Sequence, residues 1–303
     1  MKIIRDFFKG KIERKTAVTI GKFDSFHRGH KLLIDAISNR LNLYSTVLTF
    51  SENPNVKLKN VENKFLITNE ERIKFLENQN VEYLILCDFN EKFMNTSPCD
   101  FIEILCKNYN MKYLIVGDDF KFGKGGKGNI YTLKKLSSQY KFELKVLDKM
   151  KENSKEISSS LIRDYLRKGD IENVNKLLGY SYFIYGKIEK GKGLGKKINS
   201  PTINITLPKD KILPLNGVYV TKISLNNKNY KAITNIGIRP TIADDNHISI
   251  ETNILDFNED IYEGNLKIKF LSFVRNEIKF KNLEELSKQI QKDKAYAYEF
   301  FKK

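Results

Sequence analysis

Near residue 180 the pattern of the sequence changes. From Ala17 to about Leu147 short apolar runs alternate with segments of helical period, whereas from Tyr182 onward strand-like runs follow one another with turns and few helices between them. Alternating strands and helices build a parallel sheet wrapped by helices, while successive strands build an antiparallel barrel or sandwich. A chain of 303 residues also exceeds the comfortable size of one hydrophobic core. Two domains are therefore expected, at 1–181 and 182–303.

In the first region the expected strands are 17–21, 45–50, 83–86, 112–116 and 142–147, and the expected helices 30–41, 69–79 and 98–108. Leu33, Ala36, Ile37 and Leu41 are spaced as the core face of the first helix. Two more helices are expected at 159–167 and 171–178, the second with Asp170 as N-cap and Gly179 as its stop. In the second region six strands are expected, at 182–189, 202–207, 218–224, 230–236, 248–255 and 266–274. A last helix should start at Asn282, where Asn282 and Glu285 are spaced as a capping box and Leu283, Leu286 and Ile290 as an apolar stripe.

The formal charge of +16 raises nucleic-acid binding as a rival class. The excess is Lys spread over the whole chain with no recognised nucleic-acid motif, so no nucleic-acid partner is expected, and such a charge equally suits small phosphorylated ligands. No apolar run approaches a membrane span, and the N-terminus lacks the features of a signal peptide, so a cytoplasmic protein is expected. Cys87, Cys99 and Cys106 form no metal-binding pair and are read as reduced, mostly buried thiols. A homo-oligomer is left open.

The segment from Gly21 to His30 reads Gly-Lys-Phe-Asp-Ser-Phe-His-Arg-Gly-His and lies between the first strand and its helix, where open parallel sheets bind ligands. It contains two of the chain's three histidines. On the first turn of a helix, His27 and His30 can address one phosphate, with free backbone N–H groups beside it and Gly29 admitting it closely. Donors fixed at an α-phosphate lower the barrier to in-line displacement. The plainer reading is a pair of helix-capping or surface histidines. Further on, Ser158, Ser159 and Ser160 can cap a helix on which Arg163, one turn in, offers a planar fork of donors. The Gly/Lys turn from Lys121 to Gly128 is a weaker signal.

In the second region, Gly191, Gly193 and Gly195 alternate with lysines in a loop able to wrap phosphates, leading into Pro201-Thr-Ile-Asn-Ile. Ile203, Ile205 and Leu207 share one face of the following strand. Thr202 and Asn204 share the other, where hydroxyl and amide oxygens could ligate Mg²⁺ together. Later, Ile248, Ile250 and Ile254 line one face of a strand and Glu251 projects from the other. Polar outer faces of ordinary strands are the plainer reading of both.

These motifs, in this order, resemble the bifunctional riboflavin kinase/FAD synthetase family over roughly residues 15 to 300. The segment ending His27-Arg-Gly-His30 resembles the His-x-Gly-His signature of nucleotidyltransferases, with Lys22 and Ser25 where the family usually has Asn and Gly. Val116 to Gly123 resembles the flavin-side segment, and Ile157 to Arg163 the Ile-Ser-Ser-Thr-x-Ile-Arg signature. Pro201-Thr-Ile-Asn204 resembles the riboflavin kinase signature, with Asn199 and Ser200 replacing the usual Gly-Phe, and Thr234 to Thr241 matches another kinase segment. Thr49 to Pro54 departs from the family's Thr-Phe-x-Pro-His-Pro, with Asn53 in place of its histidine.

The resemblance implies a Rossmann-like α/β nucleotidyltransferase domain, an antiparallel β-barrel and a C-terminal helix. It implies ATP-dependent phosphorylation of riboflavin and adenylylation of FMN, with ATP, Mg²⁺ and the flavins riboflavin, FMN and FAD as ligands. It further implies that Gly21, Phe23, Asp24, Gly29, Gly117, Asp119, Phe120, Ser159 and Ser160 contribute to the first binding site beside His27, His30 and Arg163. Asn235 and Arg239 join Thr202, Asn204 and the glycine loop in the second, with Glu251 as the base that activates the ribityl hydroxyl. Two other readings stay open: a single-activity riboflavin kinase with impaired adenylyl transfer, and a non-catalytic flavin- or nucleic-acid-binding regulator.

Overall fold

A computed structural model describes residues 1–52, 54, 64–189, 202–206, 208–225, 228–239, 247–257 and 263–302. The chain divides into two compact units, Met1–Ser159 and Ser160–Lys303.

The first unit is built on a parallel sheet of β1 (Lys2–Ile4), β2 (Thr16–Ile20), β3 (Tyr44–Phe50), β4 (Tyr83–Cys87), β5 (Met111–Gly117) and β6 (Glu143–Leu147), ordered β1-β4-β3-β2-β5-β6. Helices α1 (Arg28–Ser38), α2 (Asn69–Glu77), α3 (Glu91–Met94), α4 (Pro98–Asn108) and α5 (Ile130–Tyr140) lie between them in sequence, and a small hairpin of β7 (Lys151–Glu152) and β8 (Lys155–Glu156) follows. β2 is buried along its whole length and β3 at all but its ends, as expected of central parallel strands covered on both faces. From β2 the chain builds outward to β3 and β4, then returns to place β5 and β6 on the other side. The carboxyl end of β2 therefore lies at the topological switch point, where open α/β sheets take their ligands.

Helix α1 ends earlier than its apolar spacing implied. The chain leaves the helix after Ser38 and turns through Asn42 at φ 63°, so Leu41 is 89% exposed and Ile34 takes the expected core place beside Leu33 and Ile37. Strand β1, helices α3 and α5, and the β7–β8 hairpin were not expected. Of the three free thiols, Cys87 is buried, Cys106 half-buried and Cys99 exposed, so the expectation of burial fails at Cys99.

The second unit takes up α6 (Ser159–Arg167), which begins on the last residue of the first, and then α7 (Ile171–Leu178). Asp170 caps α7 by accepting from the Asn173 N–H at 3.2 Å, and Gly179 stops it in the left-handed conformation, as the sequence implied. Six antiparallel strands then close a barrel: β9 (Phe183–Glu189), β10 (Ile203–Thr206), β11 (Gly217–Leu225), β12 (Lys228–Arg239), β13 (His247–Ile254) and β14 (Asn265–Arg275), ordered β10-β13-β12-β11-β14-β9. At Gly186 a side chain would collide with Ile205 and with the carbonyl of Thr206, so glycine permits the close approach of β9 and β10. The buried hydroxyls of Thr221, Thr234 and Thr252 form a ladder at 2.9 and 3.0 Å across β11, β12 and β13, which satisfies polar groups that burial would otherwise penalise.

Helix α8 (Leu283–Lys302) lies against β11 and β12, with Ala297, Tyr298, Phe300 and Phe301 packing on a cluster that includes Val218, Val220 and Ile233. Because this contact is made by the C-terminal half, the first turn overhangs and Leu283 is exposed, contrary to the expected stripe. The cap also differs: Asn282 Oδ1 accepts from the Glu285 N–H at 2.9 Å, but Glu285 accepts from the N–H of Lys281 rather than that of Asn282. On α8, buried Asp293 receives the Arg275 guanidinium, from Nε at 3.0 Å and Nη2 at 2.7 Å.

Candidate active sites

Three residues after the end of β2 the backbone does something bulky residues resist. Phe23 and Phe26 adopt positive φ, 43° and 45°, although both are aromatic and buried. Such conformations persist only where surroundings enforce them, and they cluster at ligand sites. Here the rings are stacked, Phe23 on Phe26 at 5.6 Å and Phe26 on Phe75 of α2 at 4.4 Å with an interplanar angle of 8°. The same loop is fixed by the Gly21 N–H donating to Leu48 O and by Thr49 Oγ1 donating to Lys22 O. Asp24, nearly buried, accepts from the N–H of Leu66 at 3.1 Å.

The loop delivers His27 as N-cap of α1 and His30 into its first turn. Their rings stack at 3.7 Å, 13° apart, and Phe23 lies against His30 at 5.0 Å. Nδ1 of His27 accepts from the His30 backbone N–H at 3.2 Å, so that N–H is not free for a phosphate, contrary to expectation; the capping role and the pairing coexist. Accepting at Nδ1 leaves the proton of neutral His27 on Nε2, a donor. Burial pushes the His27 imidazole down to about 4, against the opposing pull of a backbone hydrogen bond. Burial first, then the neighbouring His27 and Arg72, hold His30 well below the usual histidine range. His30 Nδ1 is buried without a hydrogen-bond partner among the described residues. A side chain at Gly29 would press on the His27 ring at 3.3 Å, so glycine keeps that ring in place.

The remaining residues of the first set are more dispersed. Ser159 is brought to the loop, its hydroxyl 3.1 Å from that of buried Ser25. Ser160 is exposed, and half-buried Arg163 lies further along α6, in the second compact unit. Gly117 ends β5; Asp119 is exposed and pairs with Lys149, and Phe120 stacks on Phe122 at 5.5 Å. Asn53 lies outside the described residues. The sequence reading missed Arg72 and Phe75, whose place beneath the loop depends on tertiary packing.

In the barrel, strand pairing assembles the second set. Asn204 on β10 stands opposite Glu251 on β13 and opposite Glu189 on β9, and Glu251 stands opposite Asn235 on β12. Residues paired across strands share a face, so Glu189, Asn204, Glu251 and Asn235 form one row across four strands. Thr252, Thr234, Ile203 and Ile205, on the alternate positions, are buried. Asn204, Glu251, Asn235 and Thr202 are half-buried. Ile250 and Ile254 are buried as expected, but Ile248 is exposed because it pairs with exposed Ile238 near the end of the ladder. Glu189 was not among the expected site residues; register alone brings it into the row. Arg239 lies opposite His247 on the backbone, and Gly191, Gly193, Gly195 and Leu207 lie outside the described residues. No group of three or more His, Cys, Asp or Glu able to hold a metal ion occurs among the described residues, but the row and Thr202 supply hydroxyl, amide and carboxylate oxygens, the donor types Mg²⁺ prefers.

Comparison with known proteins agrees with this two-part geometry. A family model described as FAD synthetase matches residues 9–161, and one described as riboflavin kinase matches residues 178–301. The bifunctional riboflavin kinase/FMN adenylyltransferase of Bacillus subtilis is 36% identical, with 95% of this chain and 93% of that protein covered. The protein of the same name from Buchnera aphidicola is 35% identical over 99% of both chains. A crystal structure described as a macrolide-efflux protein from Streptococcus pneumoniae superposes with a TM-score of 0.90 at 27% identity, covering 98% of this chain and 99% of that one. No described helix here is long and apolar enough to cross a membrane. The chain belongs to the bifunctional riboflavin kinase/FMN adenylyltransferase family.

Proposed function

We propose that the two activities of this bifunctional riboflavin kinase and FMN adenylyltransferase divide between residues 1–181, where FMN is adenylylated, and residues 182–303, where riboflavin is phosphorylated. The observation that carries the first assignment is the stacked, neutral histidine pair at the carboxyl end of β2. In that reaction a phosphate oxygen of FMN attacks the α-phosphorus of ATP, the bond to the bridging oxygen breaks, and pyrophosphate leaves. Neutral His27 and His30 donate to the charge that builds on the α-phosphate, a role that needs no covalent intermediate. Gly21, Asp24, Gly29 and Ser159 line the nucleotide side, and Gly117, Asp119 and Phe120 the flavin side. Buried Phe23 supports His30 from beneath.

In the barrel, Glu251 takes the proton of the ribityl hydroxyl as its oxygen attacks the γ-phosphorus of ATP and ADP leaves. Thr202 and Asn204 hold Mg²⁺, which neutralises phosphate charge when bound. The glycine loop at 191–195, Asn235 and Arg239 hold the remaining phosphate and flavin contacts. Both reactions draw on ATP, which suits work in the cytoplasm and needs no nucleic-acid partner.

The test is to incubate purified full-length protein with riboflavin, ATP and Mg²⁺ and to separate riboflavin, FMN and FAD by chromatography. Both FMN and FAD should accumulate. FMN alone would favour the single-activity kinase, and neither product would leave only a binding role.

A further inference from the structure

We infer that Arg72 is a positioning residue for adenylyl transfer, locking helix α2 to the strained loop that carries His27 and His30; this rests on assigning adenylyl transfer to that loop. The side chain is 1% exposed. Its Nη1 donates to the carbonyl of Phe50 at 2.6 Å and lies 3.4 Å from Thr49 Oγ1, both at the end of β3. Thr49 Oγ1 in turn donates to Lys22 O at 2.9 Å, so one relay runs from α2 through β3 into the loop. Arg72 Nε has no hydrogen-bond partner among the described residues.

A buried guanidinium is an expensive way to fill space. Taking an ion out of water is costly, and an apolar side chain of similar volume is often as stable or more so. Burial here pulls the Arg72 guanidinium down to about 10, with the charge of Asp24 opposing that fall. Asp24 belongs to the loop and is itself tied to Leu66, just ahead of α2. A cation at this place thus acts on two loop residues, attracting Asp24 and helping to keep His30 uncharged.

Three residues on, and on the same helix face, Phe75 stacks on Phe26. Helix α2 therefore reaches the loop twice, through the Arg72 relay and through the ring stack that runs by Phe26 and Phe23 to His30. Its own start is fixed by the reciprocal cap between Thr68 and Glu71 and by Asn69 Nδ2 donating to Ser51 O. Left-handed backbone at Phe23 and Phe26 is strained and persists only while its surroundings hold it. With the Arg72 anchor removed, the loop relaxes and the histidine pair loses its aim, while groups that bind the rest of ATP and FMN stay in place.

The experiment uses purified full-length Arg72→Met and Arg72→Lys, with initial rates measured for FAD formation from FMN and for FMN formation from riboflavin. Arg72→Met should lower kcat for FAD formation by about 10- to 100-fold, the scale of a displacement near 1 Å, with KM for ATP and FMN shifted much less and riboflavin phosphorylation retained. Arg72→Lys keeps a cation without the planar fork and should recover part of the rate. Phe75→Leu, which leaves the charge intact, should produce a smaller fall in the same kcat. An unchanged kcat in Arg72→Met, a loss confined to KM, or a parallel loss of both activities would overturn the proposal. His30→Ala in the same series separates the two levels: persistent FAD formation there would refute the site assignment itself, whereas its loss beside a normal Arg72→Met would refute only the role of Arg72.

Discussion

The two sites are made by different physical means. The first is assembled by burial: a loop with left-handed aromatics is pinned by Phe75, Thr49, Leu66 and Arg72, and the histidines it presents are stripped of charge by desolvation. The second is assembled by register: Glu189, Asn204, Glu251 and Asn235 share a row because four strands pair at those residues. A site built by burial depends on packing several residues away and couples tightly to protonation. A site built by register depends on strand alignment and tolerates exposure of the side chains in the row.

The largest expected effect tests the register side. Glu251→Gln preserves size and pairing but cannot accept a proton, so riboflavin phosphorylation should fall by about 10² to 10⁴ while FAD formation from supplied FMN continues. Initial rates with each substrate on one preparation decide it, and near-normal phosphorylation would reduce Glu251 to a solvated strand residue.

On the burial side, His30→Ala should lower FAD formation from FMN by about 10² to 10³, the usual cost of removing one fixed donor, and leave riboflavin phosphorylation in place. Equal loss of both activities would erase the distinction between the sites.

The third effect is on stability. His27 has its ordinary value of 6.5 when unfolded and about 4 when folded, so between those values the unfolded chain binds more protons. Stability is therefore fully present above pH 6.5, falls as the pH is lowered, and has lost about 3 kcal/mol from this residue once the pH is below 4. Thermal melts across that window should show the fall, and His27→Asn, which keeps a capping side chain, should flatten it. An unchanged slope would mean that His27 is not held neutral by the fold.

The smallest effect expected is at the departure from the family pattern. Asn53→His should alter the KM for FMN or the rate of adenylyl transfer by a few-fold, because both side chains can hydrogen-bond, and should leave riboflavin phosphorylation unchanged. Steady-state kinetics with FMN varied would show it; an unaltered transferase would place Asn53 away from the flavin.

Much of this arrangement was legible in local pattern. The switch from alternating elements to successive strands separated parallel sheet from barrel, and the Gly21–His30 segment was legible because its chemistry is contiguous. The row in the barrel was half legible: alternation placed Asn204 and Glu251 on outer faces, but only pairing across the sheet reveals Glu189 beside them. Strand β1 escaped because three residues, Lys2–Ile4, are strand only through their pairing with Tyr83–Ile85, far along the chain. Arg72 escaped because a charged residue in a helix is expected to face water, and nothing local announces that β3 and Phe65 enclose it. Leu41 misled for the opposite reason: its spacing fits the helix, but the helix has ended before it.

The barrel closes through its shortest strand. β10 runs for four residues and pairs over three with β9 and three with β13, so among the described strands of the barrel it has the least ladder holding it. Short, lightly anchored segments open first in sub-global fluctuations, and this one carries Asn204 beside Glu251. An occupant that bridges the two strands would act as a stitch across the seam, slowing amide exchange in β10 and raising the temperature at which the barrel unzips, by an increment that grows with the logarithm of its concentration above Kd. A ligand seated there would, in that sense, finish the wall of the container that holds it.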